Sequence, residues 1–189
     1  MKILVLDNYD SFTYNIVHIL RELDDIDISV IKNDKIKIND VETFDKIILS
    51  PGPSLPKDSG KMNELILKYY NTKPMLGICL GHQAIAENFG AKLYNMKEPL
   101  HGVQTDIYLG NDYIFDGIQS EIKACRYHSW SVESKFFPEE LKIIAEDCEG
   151  VVMALSHKKY DLKGLQFHPE SIQTKTGFNM IKNFINNLI

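Results

Sequence analysis

The sequence has 189 residues, of which 44% are hydrophobic and 25% charged, and its formal net charge at pH 7 is −5. These values are typical of one globular domain, which we place over residues 1–189. Its Lys and Arg residues are scattered, so the sequence predicts no nucleic-acid or acidic-membrane surface. No apolar run approaches the roughly 20 residues that a membrane-spanning helix needs. No signal-peptide pattern follows Met1, so we expect a cytoplasmic protein.

The first half of the chain alternates between predicted strands and helices. Short apolar runs predict four strands, at Lys2–Asp7, Asp27–Lys32, Asp45–Leu49 and Pro74–Ile78. Apolar residues at helical spacing predict a first helix, capped by Asp10 or Ser11 and including Phe12 and Leu23. They also predict a second helix that contains Leu65, Ile66 and Tyr69, and a third that runs from about Leu80 to Gly90.

The second half has a different pattern. Residues 92–167 contain mostly short strand-like runs separated by turns, which predicts an antiparallel excursion before Leu165–Phe167 rejoin the main sheet. A last helix is predicted from about Thr176 to Leu188. Right-handed strand–helix–strand units therefore predict an open, mostly parallel, doubly wound α/β sheet with helices on both faces and a small antiparallel excursion.

Four unusual segments follow predicted strands, at Asn8–Ser11, Pro51–Pro53, Cys79 with its neighbours, and His168–Glu170. In a sheet of this kind, ligands bind beyond the carboxyl ends of the strands. We therefore expect these segments to share one edge of the sheet and to form the functional site.

Cys79 lies between Gly77 and Gly81 at a predicted strand-to-helix junction. This spacing is typical of a nucleophile elbow, in which glycines allow a tight turn and the central side chain projects above the sheet. The helix that follows would point its N-terminus at the sulfur and favour the thiolate. A glycine-flanked turn that merely packs tightly is the alternative, and a phosphate loop is disfavoured because no Gly-Lys-Ser/Thr follows.

His168 is the predicted base because it follows a core strand at the same edge. Glu170 can lie on the same side of an extended segment, with Pro169 restricting the backbone between them. Cysteine, histidine and an orienting carboxylate form a triad suited to acyl transfer. His82, on the helix after Cys79, is the alternative base, and a chance His-Pro-Glu surface turn also remains possible.

The other histidines and cysteines receive ordinary structural interpretations. His18 is expected to be solvated or satisfied in the first helix, and His157 to be solvated in a polar turn. Cys125 and Cys148 are expected to be small buried hydrophobic residues. With three widely spaced cysteines and no CxxC pair, neither a disulfide framework nor a zinc ribbon is predicted.

Taken together, these motifs resemble those of the class I, triad-type, glutamine amidotransferases. The matching segments are Leu49–Pro53, Gly77–Gln83, Arg126–Ser129 and Gln166–Ser171, in family order over essentially the whole chain. The opening segment Asp7–Asn15 narrows the resemblance to the glutaminase components of anthranilate synthase and aminodeoxychorismate synthase.

The resemblance implies roles for individual residues. Cys79, His168 and Glu170 would form the triad, and the backbone N–H groups of Gly52 and Leu80 would stabilise the oxyanion. The remaining predicted substrate-binding residues are Pro53, Ser54, Gln83, Ser129 and Trp130. The substrate would be L-glutamine, with no metal or organic cofactor in this subunit. The partner would be a separate chorismate-binding synthase subunit that receives the ammonia.

Three residues depart from the family pattern. Ser54 stands where a second glycine is usual, Trp130 where leucine is usual, and Val103 where lysine is usual. The first two put the fit of the glutamine pocket in question, and the third the coupling to the partner. Alternative functions are a GMP synthetase glutaminase, a cysteine peptidase or γ-glutamyl hydrolase on the same fold, and a catalytically silent binding subunit.

Overall fold

The computed structural model describes residues 1–187, which form four α-helices and eleven strands. The strands are β1 Lys2–Asp7, β2 Asp27–Lys32, β3 Lys46–Leu49, β4 Met75–Ile78, β5 Leu93–Asn95, β6 Val103–Leu109, β7 Glu121–Arg126, β8 Trp130–Val132, β9 Leu141–Asp147, β10 Val152–His157 and β11 Leu162–Leu165. The helices are α1 Thr13–Arg21, α2 Met62–Tyr69, α3 Leu80–Asn88 and α4 Gly177–Asn186.

Nine of the strands form one sheet in the order β2-β1-β3-β4-β11-β10-β9-β6-β7. The pairings from β2 to β11 are parallel, and those from β11 to β7 are antiparallel. The predicted mostly parallel α/β fold with an antiparallel excursion is confirmed. The antiparallel strands continue the main sheet, and only β5 and β8 form a separate two-stranded sheet.

Helices cover both faces of the parallel half because its strands are apolar on both sides. Within β1, Ile3 and Val5 belong to one core cluster, whereas Leu4 and Leu6 belong to the other. The first cluster includes the buried side chains of α1 and α4, and the second includes those of α2 and α3. The sheet is therefore doubly wound, as predicted.

Several predicted boundaries were wrong by a few residues. Helix α1 begins at Thr13 without a side-chain cap, because Asp10 accepts the N–H of Phe12 in the preceding turn at 2.8 Å. It ends at Arg21, before Leu23. Helix α3 ends at Asn88, and Gly90 beyond it has a positive φ of 94°.

Two boundaries near the C-terminus also differ from prediction. Strand β11 spans Leu162–Leu165, so only Leu165 of the predicted segment Leu165–Phe167 lies in the sheet. Helix α4 begins at Gly177 and is described as far as Asn186. Its predicted end at Leu188 lies outside the described residues.

Candidate active site

The four segments singled out in the sequence lie at the carboxyl ends of four parallel strands. Asn8 follows β1, Ser50 follows β3, Cys79 follows β4, and His168 lies three residues after β11. In the sheet, β1, β3, β4 and β11 are consecutive neighbours. The topology therefore brings together residues that are far apart in the sequence.

Cys79 has a backbone conformation that side chains rarely adopt, with φ 50° and ψ −98°. A Cβ atom on Gly77 would lie 2.4 Å from the Gly81 carbonyl carbon, and one on Gly81 would lie 2.6 Å from the Leu49 carbonyl oxygen. The Cys79 N–H donates to the Leu165 carbonyl at 2.8 Å, which ties the turn to β11. The tight elbow predicted from the two glycines is confirmed, and the strained residue is the cysteine.

Helix α3 starts immediately after this turn. Its first hydrogen bond of the i to i−4 type runs from the Gln83 N–H to the Cys79 carbonyl, at 3.0 Å. The N–H of Leu80 therefore precedes the helical ladder, as the first donors of every helix do. This end of the helix also carries a partial positive charge beside Cys79.

The loop after β3 packs closely against this helix end. A Cβ atom on Gly52 would lie 2.5 Å from Leu80 Cδ2 and 2.9 Å from Asn8 Cβ, so a close approach requires the glycine. Buried Asn8 holds the loop, since its backbone N–H donates to Ser50 Oγ and its side chain to the Ser50 carbonyl, at 2.9 and 2.8 Å. The loop is thereby fixed between β1 and α3.

His168 and Glu170 are in direct contact, with 2.6 Å between His168 Nδ1 and Glu170 Oε1. The predicted extended segment is wrong, because the Ser171 N–H donates to the His168 carbonyl and closes a turn, at 3.3 Å. This turn folds the carboxylate back onto the ring. Gly177 permits it, because a side chain at the start of α4 would collide with the Pro169 carbonyl.

The surroundings of His168 favour its protonated form. Burial opposes the charge, but the Glu170 carboxylate and the neighbouring Cys79 outweigh it and raise the pKa of His168 well above its ordinary value. Its Nε2 atom is buried without a hydrogen-bond partner among residues 1–187. The rings of Phe12 and Tyr127 pack against the imidazole, with centroids 5.3 and 5.1 Å away.

A chain of buried amides connects Cys79 to strand β8. Gln166 Nε2 lies 3.7 Å from Cys79 Sγ, and Gln166 Oε1 accepts a hydrogen bond from Gln83 Nε2 at 3.1 Å. The same Gln83 nitrogen donates to the Trp130 carbonyl at 2.9 Å. The sequence reasoning did not assign a role to Gln166, although it stands only two residues before His168 in the matching segment.

Three predicted substrate-binding residues are less closely connected to Cys79. Pro53 and Ser54 are exposed on the loop after β3. The Ser129 carbonyl accepts the N–H of Met96 at 2.8 Å, so it is engaged in the small sheet. The residues that the structure does gather around Cys79 are Gly52, Leu80, Gln83, Trp130, His168 and Glu170.

The other predicted histidine environments were partly wrong. His18 is exposed, as expected. His157 is buried rather than solvated, because its Nδ1 accepts two backbone N–H groups, from Lys159 and Tyr160, at 2.9 and 3.0 Å. His82 is fully buried against Gly164, and desolvation lowers its pKa to about 4. A histidine held neutral without a carboxylate partner is less suited to pair with a thiolate than His168.

The two remaining cysteines differ from each other. Cys125 is buried, as predicted, whereas Cys148 is exposed at the end of β9, so its predicted burial was wrong. Within residues 1–187, no group of three or more His, Cys, Asp or Glu residues is arranged to hold a metal ion. No helix of that same range is both long enough and apolar enough to cross a bilayer.

The chain matches a known family along nearly its whole length. The sequence profile of the family Glutamine amidotransferase class-I matches residues 4–188. The chain belongs to this family. Among class I amidotransferases, a solved structure from Thermoplasma acidophilum, provisionally named as part of a GMP synthase, superposes with a TM-score of 0.87. It is 30% identical, and the match covers 98% of this chain and 92% of the other.

Three relatives of this amidotransferase have named functions. Anthranilate synthase component 2 of Cyanophora paradoxa is 44% identical, over 97% of this chain and 98% of the relative. Aminodeoxychorismate/anthranilate synthase component 2 of Bacillus subtilis is 40% identical, over 97% and 95%. The bifunctional protein TrpGD of Thermotoga maritima is 41% identical over 98% of this chain, which spans only 32% of that longer protein.

Proposed function

We propose that this amidotransferase chain is the glutaminase subunit of anthranilate synthase, which hydrolyses L-glutamine and delivers ammonia to a chorismate-binding synthase subunit. The observation that carries the proposal is the strained Cys79 beside the His168–Glu170 pair. It occurs in a chain that matches named component 2 proteins over almost their whole length. We also place the protein in the cytoplasm, where thiols stay reduced.

In the first step, the Cys79 thiol transfers its proton to His168 Nε2, and the sulfur attacks the side-chain carboxamide carbon of glutamine. Glu170 stabilises the imidazolium through its 2.6 Å contact with Nδ1. The imidazolium then protonates the departing nitrogen, and ammonia leaves with its bonding pair. The product of this half-reaction is a γ-glutamyl thioester on Cys79.

The tetrahedral intermediate needs donors for its oxyanion. The Leu80 N–H is suited to this role, because it precedes the hydrogen-bonded ladder of α3 and follows directly after the nucleophile. The Gly52 peptide is the second proposed donor, since Gly52 packs directly on Leu80. Removing one such donor typically slows acyl transfer by about 10²–10³.

In the second step, His168 takes a proton from water, and the hydroxide attacks the thioester carbonyl carbon. The carbon–sulfur bond breaks, Cys79 is regenerated, and glutamate leaves. The net reaction converts glutamine and water to glutamate and ammonia. It needs no metal or organic cofactor in this subunit.

The amino-acid end of glutamine is proposed to bind between α3 and β8. The Gln83 amide nitrogen is engaged by Trp130 and Gln166, which leaves its Oε1 atom to accept from the substrate ammonium. The backbone of Ser129 and Trp130 and the exposed loop residues Pro53 and Ser54 complete the proposed pocket.

A role in aminodeoxychorismate synthesis is the second candidate function. The Bacillus subtilis relative bears a name that covers both synthases, and one glutaminase could serve two synthase subunits. A GMP synthetase glutaminase is a less favoured alternative, because the segment Asp7–Asn15 resembles the anthranilate and aminodeoxychorismate components.

The test combines this chain with each candidate synthase subunit, with either glutamine or ammonium salts as the nitrogen source. Cys79→Ser should abolish product formation from glutamine but leave formation from ammonium intact. Cys148→Ser is the matched control, since this exposed cysteine lies outside the site, and it should leave both activities unchanged. Equal loss with both nitrogen sources would refute the proposed division of labour, and cleavage of γ-glutamyl peptides instead of glutamine would favour a hydrolase.

A further inference from the structure

The strand that precedes the Trp130 segment ends in a buried arginine. Arg126 is only 2% exposed, and its Nη1 atom pairs with Asp147 Oδ2 at 2.6 Å. The same nitrogen lies 3.3 Å from Thr105 Oγ1. The guanidinium is therefore held in one orientation, and it directs its Nε atom at His128 Nε2, 3.0 Å away.

The arginine determines which nitrogen of His128 carries the proton. Arginine Nε is always a donor, so His128 Nε2 must accept. The proton therefore resides on Nδ1, which faces the Trp130 carbonyl at 2.9 Å and, at longer range, Ser131 Oγ at 3.3 Å. A carbonyl can only accept, so both neighbours require the same neutral form with the proton on Nδ1. Burial and Arg126 lower the pKa of His128 to about 3, in agreement with a neutral ring.

The Trp130 carbonyl is the point at which two hydrogen bonds converge. It accepts one from His128 and one from Gln83 Nε2, both at 2.9 Å. A carbonyl oxygen has two lone pairs, so both are occupied. Gln83 in turn donates to Gln166, whose own amide nitrogen lies 3.7 Å from Cys79 Sγ.

We propose that Arg126 and His128 are positioning residues for glutamine, which act through the Trp130 carbonyl on Gln83 and on the amide that faces Cys79. The proposal rests on the proposed function and extends it. Every donor in this chain points in one direction, from Arg126 towards the Trp130 carbonyl and from Gln83 towards Gln166. A fixed carbonyl and a fixed Gln83 would hold the amino-acid end of glutamine in a constant place.

A merely structural role would make the two amide replacements of His128 equivalent. Glutamine places its amide near the Nε2 position and could accept from Arg126, but it would lose the donor to Trp130. Asparagine places its amide near Nδ1 and keeps that donor. We expect His128→Gln to raise KM for glutamine about tenfold or more, since it leaves a buried carbonyl under-satisfied, with a smaller change in kcat. His128→Asn should restore most of the affinity.

The measurement is steady-state glutaminase kinetics of the chain assembled with its synthase subunit. A KM for His128→Gln well above that of His128→Asn supports the proposal, whereas equal or reversed values overturn it. A wild-type complex that does not hydrolyse glutamine refutes the proposed function instead, so the two failures are distinguishable.

A second measurement uses the unaltered protein, in case either variant fails to fold. Nitrogen-15 correlation spectra report which ring nitrogen of His128 is protonated, and a proton on Nε2 overturns the proposal. Alkylating Cys79 with a glutamine-like diazoketone should shift the His128 Nδ1 signal, because the label has an amino-acid end. Iodoacetamide, which lacks that end, should leave the signal nearly unchanged, and equal shifts with both reagents would overturn the proposal.

Discussion

Two regions on either side of Cys79 each contain a buried histidine, and the two rings have opposite protonation behaviour. His168, in the turn after β11, is 2% exposed, and His128, after β7, is 5% exposed. Burial opposes protonation of both rings. Glu170 nevertheless raises the pKa of His168, whereas Arg126 adds to burial and lowers that of His128 to about 3.

The difference teaches that the charged partner, and not burial, determines what each imidazole can do. The ring beside a carboxylate can take and give a proton, as a catalytic base must. The ring beside an arginine is held neutral in one tautomer, so it can only make a fixed hydrogen bond. Variants in the two regions test this contrast directly.

The largest expected effect is the loss of the proposed base. His168→Ala should lower glutaminase kcat by about 10²–10⁴, the usual contribution of a general acid–base residue. His128→Ala should act mainly on KM. Glutaminase kinetics of both variants are the measurement, with exposed His18→Ala as the control. A similar fall in kcat for both variants would end the distinction between the two regions.

A smaller loss is expected for Glu170→Gln. The glutamine amide keeps a hydrogen bond to Nδ1 but removes the negative charge that raises the pKa of His168. We expect kcat to fall roughly 10- to 100-fold, since each pKa unit corresponds to a factor of ten. The pH–rate profile should also shift to lower pH. An unchanged kcat would exclude Glu170 from the triad and require His82 to be reconsidered.

The pH dependence of stability should differ in sign between the two histidines. Between pH 6.5 and 3, His128 binds a proton only in the unfolded chain, so the folded state loses stability as the pH falls. At pH 5 this loss is about 2 kcal/mol. His168 has a raised pKa, so its contribution is complete below about pH 6.5 and is lost as the pH rises through the raised value.

Urea unfolding at pH 7 and pH 5 measures this difference. His128→Asn should lose about 2 kcal/mol less than the parent protein between the two pH values. His18→Asn is the control, because its ring is exposed and should leave the pH dependence unchanged. Identical pH dependence for the parent protein and His128→Asn would contradict the neutral state assigned to that ring.

The smallest effect is expected at Trp130, where the sequence departs from the family pattern. The two hydrogen bonds at this position are accepted by the backbone carbonyl. Trp130→Leu should therefore change KM for glutamine by no more than about threefold, since both bonds persist. A much larger change, measured by the same kinetics, would show that the indole itself contacts the substrate.

Local sequence pattern was sufficient for the elements and for the elbow. Short apolar runs predicted strands at β1 and β2 with correct bounds, because buried parallel strands have few polar residues. The spacing of Gly77 and Gly81 around Cys79 predicted the strained turn, since only glycine tolerates such close backbone contacts. The order of elements placed Cys79 and His168 at one edge of the sheet.

The environment of each polar side chain could not be obtained in this way. His157 is buried and Cys148 exposed, contrary to prediction, because burial depends on which distant elements cover a residue. The contact of His168 with Glu170 was predicted, but its geometry depends on a turn that packs against Gly177 at the start of α4.

The sequence by itself determined the order of strands and helices, the elbow at Cys79, and the candidate pair His168 and Glu170, because each depends on residues close together in the chain. Only the tertiary structure revealed the amide chain from Cys79 through Gln166 and Gln83. Its members are separated by as many as 87 residues. Hydrogen bonds between side chains so far apart exist only once the sheet has paired β4 with β11 and placed β8 beside α3, and local periodicity carries no information about such contacts.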